Sequence, residues 1–247
     1  MERRVIMKYI GVDGCRKGWF YVSLDDYDKG KSGVFKDIQS LSEKFHDDCL
    51  ILVDIPIGLR DKGNLERLCD KEARTVLGDR RSSVFPVPCR DAVHKNNYEE
   101  ASLINHELTG RKLSKQSWFI SNKIRQVDEL LKTSVKYRKL VREVHPEICF
   151  CGLNGGESMK YNKKTPEGFK ERLSVIRNLY MECDELVEEA LSYKRRGVTK
   201  DDVLDALVAA VTAKLGFNKF KTIPKVPEYD MAGLPMEMVY YQSNEAD

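Results

Sequence analysis

The sequence predicts an α/β fold built on a mixed sheet, with a parallel centre and helices on both faces. Three observations lead there. Residues 49–57, CLILVDIPI, form an unbroken apolar run, the pattern of a strand buried on both faces of a parallel sheet. Ahead of it, Lys8–Asp13, Trp19–Leu24 and Gly33–Lys36 read as short strands. They are joined by a glycine-containing loop and the polar turn Asp25–Ser32, which makes them a meander. Behind it, most segments repeat apolar residues at helical spacing.

The elements follow in order. Ser40–Asp48 is a short helix before the buried strand. Helical patterns at about 64–78, 98–109 and 115–133 accompany the loop SSVFPVPCR, so residues 59–140 read as a mostly helical insertion into one domain spanning 1–247. Val141–Cys151 reads as the fifth strand, with Cys149 and Cys151 alternating onto one side as small hydrophobes. FCGLNGGE after it matches neither glycine-rich phosphate-binding pattern and reads as a loop. Thr165-Pro166 places a cap and then a proline at the first helical position, opening a long or broken helix to about Arg195. Thr199 caps the last helix. There Leu204, Leu207, Val208, Val211 and Leu215 lie on one side, with Ala206, Ala209, Ala210 and Ala213 opposite. Both sides are apolar, which makes it a core helix. Two short strands follow in the tail.

Composition sets bounds. With 41% apolar and 33% charged residues, the chain suits a soluble globular protein with a substantial core. A net charge of +3 permits an anionic partner without arguing for one. Seven cysteines, widely spaced and without a CxxC pair, argue against a disulfide framework or a zinc ribbon. No apolar run reaches membrane-spanning length and no signal-peptide core precedes the first strand, so no membrane partner and a cytoplasmic location are expected.

The informative residues are acids. Asp201 and Asp202 lie in the first turn of the core helix, where caps and the helix dipole favour anions as readily as a function would. Asp205 is beyond that turn. A carboxylate there is costly unless it is paired or binds a cation. It follows Asp201 by four and Asp202 by three, so the three share a flank. Asp13 ends the first strand, Asp54 lies near the end of the fourth, and Glu147 follows the fifth. Each has an ordinary reading: turn chemistry, loop hydrogen bonds, a lysine partner. Together they put acids at one end of three central strands, beside a helix that adds another. Ligands at the carboxyl ends of strands are the rule in such sheets. Oxygen-only sets suit Mg²⁺ or Mn²⁺, and two such ions about 4 Å apart are the usual apparatus of phosphodiester hydrolysis.

The strand–acid pattern resembles the ribonuclease H-like fold, in particular its RuvC-type resolvases. The ordered motifs IGVDGCRKGW, VDIPIGL, RRSSVFPVPCR, SKQSWFISNKIRQVD, EVHPE, KKTPEGFKER and DDVLDALVAA are similar to the family called domain of unknown function 429, over about residues 8–215. Its members are described as predicted nucleases of that fold. The resemblance implies a five-stranded mixed sheet, metal ligands at Asp13, Glu147 and Asp205 with Asp202 next, and a fourth-strand acid at Asp54. Resolvases usually carry glutamate at that last place, one methylene longer.

Supporting candidates have ordinary alternatives. Arg80, Arg81 and Arg90 flank the Pro86/Pro88 loop and suit phosphate gripping, or are a basic surface loop. Lys123 faces either the site or water. Lys163 and Lys164 precede the Thr165-capped helix, a fair anion site or plain surface lysines. His145 is a proton shuttle near neutral pH or a hydrogen-bonded strand-end histidine. Trp118 reads as core. The leading expectation is a metal-dependent nuclease acting on DNA or RNA, with His145 or Lys123 serving the leaving group; a homodimer would suit a junction substrate. A non-catalytic nucleic-acid or nucleotide-binding protein of the same fold is the alternative. A nucleotide phosphotransferase of the actin and sugar-kinase type is disfavoured, because those proteins usually pair two such domains.

Overall fold

The computed structural model describes residues 6–243. Five strands, β1 (Lys8–Cys15), β2 (Gly18–Asp25), β3 (Gly30–Phe35), β4 (Cys49–Val53) and β5 (Val141–Glu143), form one sheet in the order β3-β2-β1-β4-β5. The first three pair antiparallel as a meander, and β1–β4 and β4–β5 pair parallel. Order and direction are those of a ribonuclease H-like sheet, as the sequence predicts.

Side-chain alternation divides the central strands. Tyr9, Leu50 and Leu52 join one buried cluster, while Ile10, Val12, Ile51 and Val53 join another on the opposite face. Helix α1 (Ile38–Lys44) covers the second face, capped by Asp37 rather than opening at Ser40. Between β4 and β5 the chain is helical, as expected: α2 (Leu68–Leu77), α3 (Arg90–Val93), α4 (Tyr98–Thr109), α5 (Lys115–Thr133) and α6 (Val135–Leu140). Not all of it stands apart from the sheet. Ile124, Val127 and Leu131 of α5 pack into the second core face. Trp118 is only half-buried, edge-on to Tyr98.

The predicted fifth strand is mostly wrong. It pairs only over Val141–Glu143, and Pro146 then opens α7 (Pro146–Leu153). Proline at the first helical position holds a helical φ and has no N–H to lose. Cys149 and Cys151 therefore lie about 200° apart around a helix instead of sharing a strand face, and they enter different clusters. The predicted long helix is broken into α8 (Pro166–Arg177), α9 (Cys183–Leu191) and a 3₁₀ turn, Ser192–Arg196. All seven cysteines are buried and free. The tail strands β6 (Lys221–Tyr229) and β7 (Pro235–Tyr240) form a separate antiparallel pair. Ile223, Met236 and Met238 close it onto Cys69, Leu77 and Ile148.

Helix α10 (Lys200–Gly216) is buried over nearly its whole length against the first face of the sheet. Gly11 of β1 makes this possible. A Cβ at Gly11 would collide with the backbone of Ala206 and Ala210. The small-residue side of α10 thus lies almost backbone-to-backbone on the central strand. Among the described residues, no helix is long and apolar enough to cross a membrane.

Candidate carboxylate site and its basic groove

The sheet register builds the site. Val12 aligns with Val53, and Val53 with Glu143, in one row across the parallel strands. Asp13 and Asp54 come one residue later, where the Asp54 amide still donates to the Val12 carbonyl at 2.9 Å. Alternation turns both side chains to the face that α10 covers. The first two turns of α10 add Asp201, Asp202 and Asp205 at the same end. Thr199 and Asp202 close a reciprocal capping box, at 3.2 Å and 2.8 Å. Asp202 is thus both a cap and a neighbour of the cluster, which joins its two predicted readings.

The carboxylates act on one another. Burial, then Asp54, Asp205 and Asp202, push the Asp13 carboxyl well above its ordinary range. Burial and then Asp205 push Asp54 up to about 8. Asp202 is raised by burial, against its bonds to Thr199. One cation answers them: Lys163 Nζ donates to Asp205 Oδ2 at 2.7 Å. Burial opposes its charge, but Asp205, then Asp54 and Asp13, outweigh burial and hold the ammonium above the usual lysine range.

Asp13 and Asp54 open onto a cavity of about 340 Å³, shared with Lys123, His145, Glu147 and Lys163. Phe85, Pro86, Lys163 and Lys164 also border a shallower groove of about 840 Å³, so the two are continuous there. Arg80, Arg81 and Gln116 line the groove. The Arg80 guanidinium is fixed by the Met159 carbonyl at 2.8 Å and by the Lys160 carbonyl. Arg81 and Lys164 are exposed.

Other predicted residues are placed differently. Glu147 lines the cavity, but both its oxygens accept from the buried Arg172 guanidinium, at 2.6 Å and 2.9 Å. Its position in the first turn of α7 aims it at α8 rather than at the aspartates, which removes it from the direct ligand set of this arrangement. Arg90 does not reach the groove. It is surrounded by Asp61 at 3.4 Å, Asp128 at 3.1 Å and Asp230, and is a structural ion-pair hub. Lys123 runs over Gly14 and donates to the Gly18 carbonyl, its ammonium 4.4 Å from the Trp19 ring centre. His145 caps the start of α7, and Nε2 donates to the Ser83 carbonyl at 3.3 Å. Burial lowers its pKa, and Nδ1 is left as an unpartnered acceptor among the described residues.

The acid that ends the fifth strand is not among the residues the sequence singles out. It is Glu143. Arg67, 2% exposed, bridges Glu143 at 2.7 Å and Asp70 at 2.6 Å, and also donates to the Ile57 carbonyl at 2.9 Å. Glu143 in turn accepts from the Ile57 amide at 2.6 Å. This buried knot fixes the turn that follows Asp54. Among the described residues, Cys69, Asp70 and Glu143 are also the one group of three donors gathered within 4.8 Å. The Arg67 guanidinium fills that group, so its charge is already met. The signal that finds Glu143 is its place at the end of VRE, one residue before the row of Asp54.

A family model for a protein of unknown function, DUF429, matches residues 11–228. The chain belongs to the DUF429 family. The matched span takes in Asp13, Asp54, Glu143, Glu147, Lys163, Asp202 and Asp205, together with the 78–90 loop, and stops before β7. No curated protein matches the chain. No solved structure matches it either.

Proposed function

We propose that this DUF429 protein is a metal-dependent nuclease, hydrolysing phosphodiester bonds at the Asp13–Asp54–Asp205 cluster. The observation that carries the reading is that Asp13 of β1 and Asp54 of β4 open onto one cavity that continues into a basic groove, with Asp205 of α10 beside them and bonded to the cavity-lining Lys163. The donor set is hard oxygen and, once ionised, carries more negative charge than Lys163 offsets, which fits Mg²⁺ or Mn²⁺. Asp13, Asp54 and Asp205 would hold the ion or ions, with Asp202 adjoining. When bound, such ions supply an activated water and neutralise the leaving oxygen. Arg81 and Lys164 meet the phosphates along the groove. His145 lines the cavity, and burial favours its neutral form there.

The test is a cleavage panel over DNA, RNA, hybrid and four-way junction with Mn²⁺ or Mg²⁺. Wild type is expected to cut at least one substrate, and Asp13→Asn and Asp205→Asn to lose that cutting while remaining folded. Absence of cleavage, together with no metal-dependent rise in melting temperature, would sink the proposal. One observation favours a second reading, a non-catalytic nucleic-acid-binding protein: Lys163 already neutralises Asp205 from within the chain. That protein would bind the same panel with or without metal.

A further inference from the structure

The mouth of the cavity carries an aromatic side chain that neither core packing nor the carboxylate chemistry uses. Phe85 is 36% exposed and borders both the cavity and the groove. It stands in the segment Val84–Phe85–Pro86, ahead of Pro88, and proline restricts both its own φ and the residue before it. A second aromatic, Phe119, is 77% exposed on α5. It follows Gln116, which lines the groove, by three residues, and precedes Lys123, which lines the cavity, by four. That spacing puts Phe119 next to the flank of α5 that faces the cleft, just outside the residues that line it. Exposed aromatics of this size are costly to leave in water and mark contact sites when they cluster beside a groove.

Charge says what the groove takes. Arg81 and Lys164 are exposed and Arg80 is fixed beside them, so the walls suit a polyanionic backbone. Size says how it enters. The cavity that holds Asp13 and Asp54 is about 340 Å³, the scale of one small ligand. A single nucleotide unit is on that scale. Aromatic faces beside a cationic track are the apparatus of single-strand binding, because every base has a face to stack and only unpaired bases offer it.

We infer that the substrate is an unpaired nucleic-acid strand, held by base stacking on Phe85 and by phosphate contacts to Arg81 and Lys164. Phe119 extends the stacking surface along the same flank. This rests on the nucleic-acid reading of the site, and adds to it the strand state of the substrate. DNA and RNA share the chemistry used here, and the 2′-hydroxyl is read, if at all, elsewhere.

Binding rather than cleavage tests it. Fluorescence anisotropy of labelled oligonucleotides, with EDTA present to prevent cutting, compares single-stranded DNA, single-stranded RNA and a duplex of the same sequence. A single strand is expected to bind at least about tenfold tighter than the duplex. Phe85→Ala should weaken single-strand binding by roughly 5- to 100-fold, with little effect on whatever duplex binding exists. Phe85→Trp should keep the affinity, and its emission should be quenched by the single strand alone. Lys164→Ala should lower the slope of log Kd against log salt by about 0.7. Equal affinity for duplex and single strand, or an unchanged affinity in Phe85→Ala, would overturn the inference and leave the nuclease reading standing. No binding of any nucleic acid would overturn both.

Discussion

Lys163 Nζ and Asp205 Oδ2 stand 2.7 Å apart, and that ion pair places the chain's own cation among carboxylates from three separate elements. Asp205 is almost buried, while Lys163 reaches it from the loop before α8 with its side chain 37% exposed. The lysine is the more exposed partner of the two.

A divalent ion and this ammonium would compete for the same oxygens. Lys163→Met should therefore bind Mn²⁺ more tightly than wild type, by about tenfold, since losing a competing charge is worth on the order of 1.4 kcal/mol. Titration followed by Mn²⁺ EPR reads this directly. Weaker Mn²⁺ binding in Lys163→Met would mean that the lysine supports the metal arrangement.

Asp54 sets the pH dependence. A carboxyl at about 8 in the folded protein, against an unfolded value of about 3.9, binds more protons folded than unfolded. Stability is then lost, not gained, as pH rises between those values. Metal-free protein should melt lower at about pH 8 than at about pH 5.5, by roughly 3–8 °C, and Asp54→Asn should remove part of that difference, the rest belonging to the likewise raised Asp13. Saturating Mn²⁺ should also remove the difference, by offsetting the carboxylates that ionise at the higher pH. A melting temperature that is flat or rising across this range in chelator would contradict the charge cluster.

Glu147 and Arg172 separate a structural role from a metal role. Arg172→Met leaves the Glu147 carboxylate buried without its partner and should cost about 3–5 kcal/mol in urea unfolding. Adding Glu147→Gln to that variant should recover a large part of the loss. Glu147→Gln alone should keep the metal-induced rise in melting temperature that Asp13→Asn loses. Loss of that rise in Glu147→Gln would return Glu147 to the ligand set.

Gly11 tests the geometry rather than the charge. Gly11→Ala drives a methyl into the backbone of α10 and should destabilise the fold by about 1–3 kcal/mol or more, the range for overpacking. Because α10 carries Asp205, the surviving folded protein should also bind Mn²⁺ more weakly. Unchanged stability would show that the helix can lift without penalty.

The parts of the site that were legible in the sequence are those set by local rules. Asp13 and Asp54 were placed by strand ends, and Asp202 and Asp205 by helix capping and spacing. The buried pairings were not legible. Arg67–Glu143, Arg172–Glu147 and Arg90–Asp230 join residues far apart in the chain, and no local periodicity reports which distant arginine a carboxylate meets. Glu143 and Glu147 sit in one short stretch, and the choice between them turns on where β5 stops. The strand pattern carried the reading past Pro146, although the proline itself marks the change to helix.

The close seating of α10 on β1 also fixes the order in which the centre can come into being. Asp13 and Asp205 are 192 positions apart, and they meet only through that contact. On the ribosome, the strands carrying Asp13 and Asp54 emerge long before the helix that completes the cluster, at about 5–20 residues per second. The nascent chain thus presents its groove residues, Arg81 and Lys164, while the centre is still unformed. Whatever activity the centre has is withheld until α10 has been made and has docked.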